Sequence, residues 1–247
     1  MDIIIEEQAD QGSLKAGLAG ETEFRLGDVL KEAWERTDGN KRTVWFAMAF
    51  YIGLALLISI FFGLLGGSPE EQVAGSPNAI EQIGNLVSAL VLMPITVGLT
   101  FLGVAIARGY SPNPKSVLGW YGETLRIFLL AVLMNVMIVL GLLLFVIPGI
   151  YLAVSYQIAL PLMIDKKLGL WEALESSRKV IGHHWFAVLG YDIVLALLLA
   201  ISSLLLGVPL IWTIPLAIIS FGVLYRNLVG VEADTLQRVL AQEDVPA

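Results

Sequence analysis

The sequence predicts an all-α polytopic membrane protein, with about six transmembrane helices forming three hairpins and amphipathic helices along the cytoplasmic interface. Composition, block length and the placement of cations each point there. Of 247 residues, 57% are hydrophobic and only 15% charged, against roughly 25% charged in a soluble domain; the mean hydropathy is +0.78. The apolar residues gather in blocks close to the roughly 20 residues a helix needs to cross about 30 Å of hydrocarbon. A soluble helix would break such blocks with a polar face at every turn.

Residues 1–22 are polar, acidic and glycine-containing, without the basic stretch and apolar core of a signal peptide. They are expected to form a disordered cytoplasmic leader. From Phe24 to Trp34, the residues Leu26, Val29, Leu30, Ala33 and Trp34 recur at helical spacing. After Asp38-Gly39-Asn40, a first span runs from about Val44 to Leu65 and ends at Gly66-Gly67-Ser68-Pro69. The second span, about Ile83 to Ala107, contains Pro94, which should kink it.

Ser111-Pro112-Asn113-Pro114 is a turn, and Val117, Leu118, Trp120 and Tyr121 read as an interfacial stretch. Leu125 to Ile164 is too long for one crossing; Pro148-Gly149 divides it into a third span ending near Val146 and a fourth starting near Gly149. A second amphipathic segment, Asp165 to Gly182, aligns Leu170, Leu174, Ser177 and Ile181. The fifth span covers about Trp185 to Leu206, the sixth about Ile211 to Val229, and residues 232–247 form a cytoplasmic tail with a short helix. The transmembrane domain is thus residues 23–231.

Every one of the 15 Lys and Arg residues lies in the N-terminal segment, in the second-to-third and fourth-to-fifth connections, or at the C-terminal end. The alternate connections, Gly66 to Gln82 among them, have none. By the positive-inside rule both termini are cytoplasmic.

Shifting the chain by 140 residues superposes Leu30, Glu32, Ala33 and Glu35 on Leu170, Glu172, Ala173 and Glu175. It also superposes Trp45-Phe46-Ala47 and Tyr51 on Trp185-Phe186-Ala187 and Tyr191. An internal duplication is expected, each copy an amphipathic helix followed by an aromatic pair at headgroup depth.

The run Phe145-Val-Ile-Pro-Gly-Ile-Tyr-Leu152, with Ala159-Leu-Pro-Leu-Met-Ile-Asp165, Trp171-Glu-Ala-Leu-Glu-Ser-Ser177 and Leu224-Tyr-Arg-Asn-Leu228, resembles a largely uncharacterised bacterial membrane family. That family is similar to the membrane domain attached to some glycerophosphoryl diester phosphodiesterases. The resemblance covers roughly residues 24–231 and implies a six-helix inner-membrane protein. Phosphodiesterase chemistry belongs to a separate soluble domain, so no catalytic residue carries over.

Polar residues inside apolar spans are the natural candidates for a site. Asp192 is the acidic residue of the fifth span, with Arg126 or a tyrosine as its expected partner; Asn135, Tyr156 and Gln157 lie in the third and fourth. Near Asp192 the headgroup layer is close, and interhelical hydrogen bonding is the commoner use of the others. Trp34 and Glu32 on the first amphipathic helix, and Trp171, Glu172 and Arg178 on the second, are candidates for a partner or the membrane surface. His183 and His184 are adjacent, so they diverge on a helix and do not clamp a metal.

The sequence contains no nucleophile elbow, phosphate loop or helical pair of metal ligands. No catalytic residue, metal or cofactor is expected, and no basic tract points to nucleic acid. A non-enzymatic role follows, with the lipid bilayer as surroundings. The protein would handle a lipid or amphiphile, or carry a small solute; the alternative is a scaffold that docks a membrane partner protein.

Overall fold

The computed structural model describes residues 12–65 and 79–241. Among these the protein is all helical, and six helices are long and apolar enough to cross a membrane. It is an all-α multi-pass membrane protein.

In chain order the helices are α1 (Leu14–Ala19), α2 (Leu26–Thr37), α3 (Lys41–Leu65), α4 (Ala79–Ala107), a 3-10 helix (Pro114–Glu123), α5 (Thr124–Leu144), α6 (Val146–Ser155), α7 (Ala159–Asp165), α8 (Leu170–His183), α9 (Trp185–Leu204), α10 (Leu210–Val229) and α11 (Ala233–Leu240). The connection between the first two spans, including Gly66 to Pro69, lies mostly outside the described residues.

The core is built on the second half of α4, buried almost continuously from Pro94 to Ala107, and on α10. Small residues let these two backbones touch. A β-carbon on Gly103 would collide with the Ile218 carbonyl oxygen, and one on Gly222 with the carbonyl of Gly103. Close approach through glycine is how helices associate in lipid, where hydrophobicity offers little between two apolar surfaces.

Three expectations change. Within the segment expected to be a disordered leader, Leu14–Ala19 form α1, and the Ser13 hydroxyl accepts the Ala16 amide at 3.2 Å and caps it. Gly17 is buried against Val180 of α8 and the Leu228 carbonyl, which fixes the short helix. On α2 the buried face is Val29, Ala33 and Thr37, while Trp34 points outward, 55% exposed. The stretch read as interfacial is divided, with Leu118 and Tyr121 exposed and the other two residues in the core. Val117 and Trp120 are fully buried, with Trp120 stacked on Phe101 at 4.5 Å and the Arg238 guanidinium over its ring at 4.6 Å.

Candidate functional site

The fourth span is not one helix but two, α6 and α7, separated by Tyr156-Gln157-Ile158. Pro161 explains the break. It has no amide to give to the carbonyl four residues back, that of Gln157, and its ring clashes there. The chain therefore restarts, with Pro161 in the first turn of α7 where a missing amide costs nothing.

The break frees backbone groups that other elements satisfy. The Ala159 amide turns to Tyr156 O at 2.9 Å, and the Ser155 carbonyl accepts instead from Ser177 Oγ of α8 at 2.7 Å. The Ser155 hydroxyl is buried without a hydrogen-bond partner among the described residues. Ser177→Ala is expected to leave the Ser155 carbonyl unpaired and cost about 1–3 kcal/mol. Thermal unfolding in detergent measures this, and an unchanged melting temperature would remove Ser177 from the support of the break.

Gln157 turns its amide toward α9 and donates to Asp192 Oδ2 at 3.3 Å. Two of the sequence candidates thus meet, and Tyr156, almost wholly buried, sits beside them in the chain. The expected partnership of Asp192 with Arg126 does not form. Arg126 is held by Glu123 at 3.1 Å and by the Leu168 carbonyl at 3.1 Å, at the far end of α8. Tyr191, next to Asp192, hydrogen-bonds Ser220 of α10 at 2.9 Å. Asn135 stays apart, donating to Ala131 O of its own helix at 2.8 Å.

The amphipathic-helix candidates divide. Glu32 is engaged internally: Arg226 grips both its oxygens, at 2.8 and 2.7 Å, and Arg36 donates at 2.8 Å. Burial works to raise the Glu32 pKa, but the hydrogen bonds and charge of Arg226 and Arg36 outweigh it and hold the carboxyl low. Arg178 is fixed by Glu175 at 2.9 and 2.7 Å; these bonds, with Tyr151, raise the guanidinium further above its usual value. Trp171 is 62% exposed, and Glu172 is exposed too, making a long contact at 3.4 Å to the Gly169 amide. His183 and His184 pin the N-terminal segment, through Leu18 O at 3.2 Å and Thr22 Oγ1 at 3.4 Å.

Sequence reasoning missed a buried polar knot at the end of α7. Asp165 accepts from Tyr225 Oη at 2.8 Å and the Glu232 amide at 3.0 Å, with Lys166 Nζ at 3.4 Å. The sequence placed Asp165 at the start of an amphipathic segment; the docking of α10 and α11 buries it with Lys166, while Lys167 stays exposed. Proline marks another missed contact. Pro215 leaves the carbonyl four residues back, Ile211 O, without its helical donor. Trp45 Nε1 of α3 supplies one at 3.1 Å. Trp185, which the 140-residue shift pairs with Trp45, likewise donates its indole to a backbone carbonyl, Tyr151 O at 3.3 Å.

A groove of about 370 Å³ opens among α3, α4, α9 and α10, walled by Met48, Leu99, Leu199, Ile214, Ala217, Ile218 and Phe221, with Tyr51, Thr96 and Thr100 as its polar members. Thr96 and Thr100 donate to carbonyls of their own helix, at 3.1 and 3.3 Å, so the groove presents an almost wholly apolar wall. Among the described residues, no cluster of three or more acidic, histidine or cysteine side chains could hold a metal. No protein-family model matches the chain, and no solved structure matches it.

Proposed function

We propose that this is a non-enzymatic protein of the bacterial cytoplasmic membrane, both termini cytoplasmic, that holds a lipid or amphiphile with an acyl chain in the groove between α3, α4, α9 and α10. The groove carries this reading. Its volume, about 370 Å³, falls in the ligand-pocket range of roughly 300–1,000 Å³. Its walls offer dispersion contacts to an alkyl chain and almost nothing to a polar solute.

Native mass spectrometry after purification in mild detergent tests the proposal. The wild-type protein is expected to retain lipid, and Ala217→Phe, which fills the groove from α10, to lose most of it. Equal retention by the two proteins would sink the reading. The scaffold alternative draws on the exposed indoles of Trp34 and Trp171. On that reading, Trp34→Ala with Trp171→Ala would release a co-purifying protein and leave the lipid in place.

A further inference from the structure

The three connections at the tips of the hairpins differ in chemistry. Residues 66–78, between α3 and α4, include Glu70, Glu71, Gln72 and Asn78. The turns between α5 and α6 and between α9 and α10 contain no charged residue. Leu143, Phe145 and Ile147 are 75–78% exposed at one tip, and Leu204 and Leu206 are 83% and 95% exposed at the other.

Contacts close to these turns bear on their depth. The Lys41 ammonium stands 5.5 Å from the Trp212 ring centroid, and Trp45 hydrogen-bonds Ile211 O at 3.1 Å. Lys41 is ion-paired with Asp38 at 2.7 Å and followed by Arg42, a cluster that belongs in the headgroup layer because a charge at the bilayer centre is costly. From Lys41 to Trp45 the helix rises about 6 Å, whereas the hydrocarbon is about 30 Å thick. The first turn of α10 is therefore too close to the Lys41 face to lie at the opposite one.

The other hairpin gives an independent indication. α6 runs antiparallel along α8: Ser155 meets Ser177 at 2.7 Å, Tyr151 O meets the Trp185 indole at 3.3 Å, and Ile147 lines one cleft with His183 and His184. α8 carries Glu172, Glu175, Arg178 and Lys179, so it sits at headgroup depth, and α6 shares that depth along its length.

We infer that the α5–α6 and α9–α10 hairpins enter the bilayer obliquely from the Lys41 face and turn back inside it. Their apolar tips are surfaces for acyl chains, and α3–α4 is the hairpin that passes through. Backbone buried in lipid must be satisfied internally, and three amides at the tips are. Phe145 N bonds Gly141 O at 3.0 Å, Leu205 N bonds Ile201 O at 3.1 Å, and Leu210 N bonds Gly207 O at 3.0 Å. The charge distribution agrees, since a hairpin that turns back leaves its cations on one side just as a crossing hairpin does. The inference is independent of what the groove holds.

The chain has no cysteine, so single cysteines report without a background. Four exposed positions serve: Lys15→Cys, Ala79→Cys, Phe145→Cys and Leu204→Cys. In sealed vesicles of either orientation, a membrane-impermeant maleimide is expected to label Lys15→Cys from one side and Ala79→Cys from the other. The two tip cysteines are expected to label from neither, giving the signal of the cysteine-free parent. A bimane attached to either tip by a permeant reagent should be quenched more by lipids brominated in the upper part of the acyl chain than by lipids brominated near the chain ends. Labelling of a tip from either aqueous side overturns the inference, as does labelling of Ala79→Cys from the Lys15 side or strongest quenching by lipids brominated near the chain ends.

Discussion

Arg226→Met is expected to destabilise the folded protein by about 3 kcal/mol, toward the lower end for removing one partner of a buried ion pair. The guanidinium is nearly buried at the end of α10, and besides Glu32 it donates to Ala107 O and to Asn227 Oδ1 at 3.1 and 2.8 Å. Arg36 donates to the neighbouring Ile106 O at 3.3 Å. Two cations therefore cover the last carbonyls of α4, where the helix dipole is negative, and both hold Glu32 of α2. Loss of Arg226 uncouples α2, α4 and α10 together. The figure is kept low because Glu32 retains Arg36 and some solvent.

Acid is expected to act on the same cluster. The carboxyl of Glu32 titrates below its ordinary range, so its contribution is complete above the unfolded-state pKa and disappears as pH falls through the folded-state value. The wild-type melting temperature should be flat near neutrality and decline in acid, and Arg226→Met should remove part of that decline. Detergent melting curves over pH check both statements; a variant that melts like the wild type would show the cluster to be incidental.

Gly222→Val is expected to be the most damaging change along the α4–α10 contact. Its β-carbon would strike the Gly103 carbonyl, which belongs to backbone and cannot swing aside. Overpacking a tight core costs about 1–3 kcal/mol when side chains can yield, and here the helices themselves must separate. Fluorescence-detected size-exclusion chromatography should show aggregation, or a melting temperature lowered more than by Arg226→Met. Gly53→Val is the control, since nothing lies within 4 Å of its β-carbon position; equal behaviour of the two valines would refute the close-contact account.

Periodicity and punctuation carried most of the helix pattern. Pro148, the glycines near the span ends, and the alternation between apolar blocks and cation-bearing connections placed the helices to within a few residues. Proline chemistry was visible but its consequence was not. A kink and a full break read alike until the acceptors of the freed carbonyls are known, and Ser177 is 22 residues from Ser155. Asp192 stood out because a carboxylate among apolar residues is conspicuous, but its partner Gln157 lies 35 residues away. Arg226 was counted only as a cation at a span end, because its carboxylate partner is 194 residues distant.

Composition alone determined that the chain belongs in lipid, since no water-facing fold can bury or tolerate so many uninterrupted apolar blocks. Helical form followed from the same fact, because backbone in hydrocarbon must satisfy its own hydrogen bonds. Tertiary structure decided which helices meet: glycine against glycine in α4 and α10, Trp45 on the carbonyl orphaned by Pro215, α8 laid along the broken span. Those pairings depend on distances across the chain that no local pattern encodes, and helix length does not contain them.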